Sequence, residues 1–237
     1  MTGRVTPRRR GSYGIDAPYA PAFLAAMAVV YLLMAILSGR WRMLVPMTFM
    51  LAFLVFYLHG TLRGKFVAWA GLLDQLHLRG DELILDLGCG RGAVLLMAAQ
   101  HLTTGRAVGV DLWRSFDQSG NSLEATRRNA SAEGVADRVE LHTANMTSLP
   151  FADSSFDVVV SSVAIHNISR RADRDKAIEE AVRVLRPGGR LMIADVRATR
   201  QYREQLARSG MNEVGRRRLE WFWPAQLVTA TKPERRI

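Results

Sequence analysis

Sulfhydryl chemistry is almost absent from this 237-residue chain, in which Cys89 is the one cysteine. A lone cysteine forms no internal disulfide and offers no framework for a structural metal. Lysine is nearly as scarce, three residues against twenty-nine arginines. Charge is missing from two long stretches. Residues 21–38, PAFLAAMAVVYLLMAILS, carry none, and after Gly39-Arg40-Trp41-Arg42 neither do residues 43–59, MLVPMTFMLAFLVFYLH. No aromatic-basic RNA motif accompanies the net charge of +10, which argues against nucleic acid as the partner.

At about 1.5 Å rise per residue, each uncharged run covers most or all of a hydrocarbon core of roughly 30 Å. Both are apolar on every side, unlike the one-faced helix of a soluble domain. Pro46 falls in the first turn of the second run, where a missing N–H costs little. A pair of buried core helices is the competing reading. A cleaved signal peptide is another, but no A-x-A-like site follows the first run and a second run comes at once. The Arg8-Arg9 pair stands too far from the apolar stretch for twin-arginine export.

The basicity sits at the ends of the chain and at the edges of these runs. Residues 197–237 hold ten Arg or Lys against four Asp or Glu, whereas residues 66–196 are net acidic. Such a pattern suits an anionic lipid surface, where each cation near the headgroups contributes roughly 1 kcal/mol. Arg8, Arg9, Arg10, Arg63 and Lys65 flank the hairpin and outweigh Arg40 and Arg42 in its turn. The positive-inside rule then places both chain ends in the cytoplasm. The expectation is an integral membrane protein with a basic segment over residues 1–20, a hairpin over 21–60 and a cytoplasmic domain over 61–237. Neither run carries a clear small-xxx-small stripe, so the oligomeric state stays open.

From Phe66 onward strands and helices alternate. Phe66, Trp69, Ala70, Leu73 and Leu76 recur at helical spacing. Strands are expected at residues 82–87, 106–111, 139–142, 156–161 and 190–195, with helices at 93–101, 122–132 and 173–185. This alternation predicts an α/β fold with a mostly parallel sheet covered on both faces. Residues 213–232 read as two strands around Pro224 and an antiparallel finish. Between the first strand and the first of those helices lies Gly88-Cys89-Gly90-Arg91-Gly92, where side chains would block close backbone approach. Asp111 closes the next strand 19 residues beyond Gly92, near the spacing at which an acid meets ribose hydroxyls.

The stretch Leu85-Asp86-Leu87-Gly88-Cys89-Gly90-Arg91-Gly92 resembles the cofactor motif of class I S-adenosylmethionine methyltransferases, which have a Rossmann-like sheet. Gly109-Val110-Asp111 resembles their second-strand acid. Residues 145–151 with 155–159, and Leu185-Arg186-Pro187-Gly188-Gly189-Arg190-Leu191, are similar to the segments entering their fourth and fifth strands. The likeness covers roughly residues 66–232 and is strongest toward the small-molecule branch that includes quinone-ring enzymes. It implies S-adenosylmethionine as cofactor, with Asp86 and the backbones of Gly88, Cys89 and Gly90 at its methionine part. Asp111 would take the ribose, Leu112 the adenine, and Asn145 and Met146 the adenine edge and face. Asn145 stands where the family usually has Asp; an amide can accept from the adenine amino group and donate to a ring nitrogen. Cys89 reads first as a small residue tolerated at a tight turn. A nicotinamide dehydrogenase would need G-x-G-x-x-G, which the spacing of Gly88, Gly90 and Gly92 does not give.

A sulfonium methyl is already activated, so such an enzyme must align a nucleophile with it and exclude water. His166, in Val163-Ala164-Ile165-His166-Asn167 after the fourth strand, is the candidate base, its residue type exchanging protons near neutrality. A histidine that only shapes the pocket is the competing reading. Asp195, ending the fifth strand, is the second catalytic candidate. No metal site is expected. The hairpin implies the bilayer as partner and a small apolar or lipid-borne methyl acceptor. A non-catalytic cofactor-binding scaffold and an RNA-modifying enzyme are the alternatives. Two segments remain open: the long loop 113–121, a substrate loop, membrane-facing lid or inert insertion, and Ser12–Tyr19, which would lie beside the domain and cover its active site.

Overall fold

A computed structural model describes residues 9–219 and 222–234. Arg8, half of the arginine pair considered above, lies outside them. The two uncharged runs become helices α1 (Tyr19–Ser38) and α2 (Leu44–His59), joined through Gly39 in the left-handed region and one short 3-10 turn. Pro21, Ala28 and Ala35 are the buried residues of α1, spaced seven apart. Small side chains on one stripe let two helices approach closely, and this stripe was not evident from the sequence. The remaining faces point outward: Phe23, Leu37, Phe49, Phe53 and Val55 are each more than 60% exposed. By length and composition both helices can cross a membrane.

The boundary expected between hairpin and domain, at residues 60 and 61, falls at the head of Gly60-Thr61-Leu62-Arg63-Gly64. Instead, α2 passes through a single π-turn over Gly60–Gly64 directly into α3 (Lys65–Gln75). The glycines serve packing: a Cβ at Gly64 would lie 3.3 Å from the Trp223 side chain. α3 is held to the sheet by its buried Trp69, whose indole N–H donates to Ser162 Oγ at 2.9 Å. The hairpin is therefore a continuation of a core helix, and its direction is fixed by the domain.

Seven strands form one sheet in the order β3-β2-β1-β4-β5-β7-β6. Strands β1 (Leu83–Leu87), β2 (Arg106–Asp111), β3 (Val139–Thr143), β4 (Phe156–Ser162) and β5 (Leu185–Asp195) run parallel to one another. β7 (Gln226–Thr231) runs antiparallel between β5 and β6 (Asn212–Arg218). Helices α4 (Ala93–Gln100), α5 (Leu123–Glu133), α6 (Arg171–Val184) and α7 (Thr199–Arg208) cover the faces. This is the mostly parallel α/β sheet, covered on both faces, expected from the alternating pattern, antiparallel finish included. Central strands β1 and β4 are buried on both faces, as their near-continuous apolar runs require. Strand order reverses between β1 and β4, which opens a crevice at their carboxyl ends, where ligands of such sheets bind.

Candidate functional site

A cavity of about 770 Å³ occupies that crevice, within the range of small-molecule sites. Its floor is the glycine turn after β1. Gly88 (φ +73°) and Gly90 (φ +52°) adopt conformations that L side chains rarely enter. A Cβ at Gly88 would sit 2.3 Å from the Ala164 Cβ, and one at Gly90 2.5 Å from Gln118 Oε1. The turn is drawn against β2, because the N–H groups of Gly88 and Cys89 both donate to Val110 O. Cys89 is buried beneath it with its thiol pushed up by burial. Its sulfur fills the space a side chain at Gly109 would need.

Two carboxylates, Asp86 and Asp111, stand at this end of the cavity. Asp86 is 1% exposed, and its Oδ1 has no hydrogen-bond partner among the described residues. Burial pushes this carboxyl up to about 8, with the nearby charge of Asp111 acting in the same direction. Asp111 is already engaged: Oδ2 accepts from Gly90 N at 2.8 Å, and Oδ1 from Trp113 N and Asn121 Nδ2. A carboxylate offers about four lone-pair directions, so roughly one stays free while those contacts persist. Leu112, Asn145 and Met146 line the same end of the cavity. Asn145 folds its Oδ1 back onto Thr147 N, and Met146 Cε lies 3.3 Å from the Cβ position of Gly88. An orphaned buried acid, a cradle too tight for side chains, a ribose-type acid and two apolar residues together fit S-adenosylmethionine.

The two catalytic candidates meet. His166 stands on the 3-10 turn after β4, and its Nδ1 lies 2.5 Å from Asp195 Oδ1. The contact is close but poorly aligned, an ion-pair geometry and not a good hydrogen bond. Asp195 is fully buried and also accepts from the backbone N–H groups of His166 and Val196 and from the Tyr202 hydroxyl. Burial, with this carboxylate alongside, pushes the Tyr202 phenol well up, so it remains a donor. His166 lines the cavity, whereas Asp195 stands behind it.

The two open segments meet as well, and they contain the residues that motif reading missed. Arg10 and Gly11 N–H donate to Glu133, as does the buried Tyr13 hydroxyl. Ser12 pairs with Asn129, and Ile15 with Ser119. Residues 10–17 thus form a strap across α5 and the loop 113–121. At its corner, Asp16 accepts two bonds from Lys65 Nζ, each 2.8 Å, plus one each from Thr61 and Gln118. Gln118 reaches on to accept from Arg91 N at 2.8 Å. Asn121 adds a buried Oδ1 without a partner among the described residues, next to Asp111. The one sequence signal for this assembly is the interleaving of Tyr, Asp, Gly and Pro in residues 12–19.

Residues 85–193 match the family described as a methyltransferase domain. Methyltransferase GfsG of Streptomyces halstedii is 38% identical over 125 residues, 53% of this chain and 41% of that protein. The ubiquinone/menaquinone biosynthesis C-methyltransferase UbiE of Roseobacter denitrificans is 36% identical over 124 residues, 52% of this chain and 46% of that one. The chain therefore spans less than half the length of these curated relatives. Among solved structures, a SAM-dependent methyltransferase from Aquifex aeolicus superposes with a TM-score of 0.56 at 19% identity, covering 69% of this chain and 88% of its own.

Proposed function

We propose, from the premise that residues 85–193 are a class I S-adenosylmethionine-dependent methyltransferase domain, that the chain is a membrane-anchored enzyme methylating a small apolar or lipid-borne acceptor. One observation carries the reading. The cavity that holds Asp86 and Asp111 also reaches Tyr19 of α1 and Phe56 and Tyr57 of α2. An enzyme for soluble acceptors has no use for such walls. In water, outward side chains such as Phe23 and Phe53 would forgo roughly 1.5–3 kcal/mol of burial each, and in lipid they would not.

S-adenosylmethionine, when bound, supplies a methyl group already activated by its sulfonium. The remaining work falls to the chain. Asp86 and the Gly88–Gly90 backbone would hold the methionine part, Asp111 the ribose, and Leu112, Asn145 and Met146 the adenine. His166 would take the proton of an O, N or C nucleophile. Asp195 would balance the charge arriving on the ring and hold its orientation, which makes it a positioning residue.

The domain faces the cytoplasm in this reading, but with less support from charge than the sequence suggested. Lys65 is buried and neutralised by Asp16, so it no longer counts as a flanking cation. Among the described residues the asymmetry rests on Arg9, Arg10 and Arg63 against Arg40 and Arg42. The test is to supply methyl-labelled cofactor to membranes containing the full chain and to separate the products. Label in the organic phase, lost in His166→Ala, is the expected result. Label confined to water-soluble species or to RNA would refute the proposal.

A further inference from the structure

We infer that the bases of the two hairpin helices form a lateral portal, through which a lipid amphiphile passes from the bilayer into the cavity without crossing water. The inference rests on the membrane reading above and goes further, because an anchor alone need not touch the substrate.

The cavity has two halves. One is the cofactor cradle. The other is walled by Tyr19 and Ala20 from the first turn of α1, by Phe56 and Tyr57 from the end of α2 and by Gly60 of the π-turn, with His166 lining the same cavity. Phe23 lies four residues beyond Tyr19, and Phe53 four before Tyr57; both are over 60% exposed. A helix rises about 5.4 Å per turn, so the outward apolar surface begins about one turn from the cavity wall. Along the two helices, residues 20–23 and 53–56 are all apolar.

The side toward the cofactor loop is covered. The strap is bonded along its length to α5 and to loop 113–121, and Tyr57 Oη donates to the carbonyl of Asp16 at the strap's corner. Tyr57, Thr61 and Lys65 therefore bind the strap from a single stripe of the continuous helix. At the edge, Tyr19 stacks on Phe116 of the loop with ring centroids 4.8 Å apart, and both rings are more than half exposed. Exposed aromatic pairs at a helix base match the depth where aromatics settle in bilayers. The occupant this arrangement fits is a lipid whose reactive head enters between Ala20 and Phe56 while its tail stays against Phe23 and Phe53.

The test uses the full chain in phosphatidylglycerol vesicles with S-adenosylhomocysteine. The probe is a long-chain alkylphenol carrying a diazirine beside its ring. Photolysis and peptide mapping are expected to label Tyr57 and residues 164–170. Ala20→Trp, which plugs the gap, should lower that inner labelling about tenfold or more, with S-adenosylhomocysteine affinity unchanged. Val29→Trp, on an outward face, should leave it intact. If Ala20→Trp loses the nucleoside through misfolding, the smaller plug Ala20→Leu carries the comparison, with a several-fold loss expected. Label restricted to outward positions, or inner label indifferent to both plugs, overturns the portal. A chain that carbonate strips from the vesicles overturns the anchoring reading and the portal together, whereas a retained chain with an unlabelled interior overturns the portal alone.

Discussion

The half of the cavity proposed for the cofactor and the half proposed for the acceptor are built by different means. Asp86, Gly88, Gly90 and Asp111 lie within 26 residues of sequence and depend on two adjacent parallel strands, β1 and β2. The acceptor half joins Asp16 to Lys65 and to Gln118, partners 49 and 102 positions apart. The first is a local solution that recurs wherever a strand, a glycine turn and a helix follow one another. The second exists only once the hairpin has set its base against the domain. Cofactor binding should thus tolerate damage to the strap, and acceptor selection should not.

The largest expected effect lies where the halves meet. His166→Ala should reduce turnover by about 10²–10⁴-fold, the usual worth of a positioned general base, with cofactor affinity nearly unchanged by calorimetry. Undiminished turnover would leave His166 a shaping residue only. Asp195→Asn should lose less turnover and shift the pH profile of kcat, which a purely structural loss would not do. Next comes the cofactor cradle itself. Gly88→Val meets both a positive φ and the Ala164 methyl, so cofactor affinity should fall by about 100-fold from strain and overpacking together. If it does not, the turn is not the cradle.

Breaking the strap should have the opposite signature. Lys65→Met leaves the Asp16 carboxylate without its cation, although Thr61 and Gln118 still donate to it. Truncating one partner of a well-buried pair costs about 3–5 kcal/mol; with Asp16 23% exposed, about 1–3 kcal/mol is expected here. Faster tryptic cleavage at Arg10 would report release of the strap. Acceptor methylation should fall while cofactor Kd moves only a few-fold, and Asp16→Asn in the same chain should recover part of the loss. Equal losses in both would erase the distinction between the halves.

How much of this was legible follows the same division. The run from Asp86 to Gly92, with an acid 19 residues on, shows itself because the chemistry and the spacing are both local. His166 and Asp195 were legible singly, as residues after strands four and five, but their contact is a product of β4 and β5 lying side by side. The continuous helix through residues 60–64 was hidden, since two glycines within five residues suggest a break. Only their packing against Phe222 and Trp223, more than 150 positions away, explains them. The Asp16–Lys65 pair was hidden for the same reason: a lysine beside an apolar run reads as a solvated flank until its partner arrives.

The smallest effect separates the halves most finely, because it belongs to one atom. Asp86 titrates at about 8 when buried, above its ordinary value near 3.8. The folded state then holds a proton that the unfolded chain releases, so stability from this residue is present at low pH and declines as pH rises toward 8. A cationic methionine ammonium or sulfonium favours the ionised carboxylate, so cofactor binding below pH 8 must release that proton. Affinity should therefore rise with pH by less than about tenfold per unit and level off above 8. Calorimetry in buffers of different ionisation enthalpy would count the proton, and Asp86→Asn should abolish its release. The Lys65→Met chain should release it unchanged, because burial, Leu95 and Asp111, not the strap, set the Asp86 carboxyl. A proton count that vanished with the strap would mean the two halves of the cavity are one electrostatic unit after all.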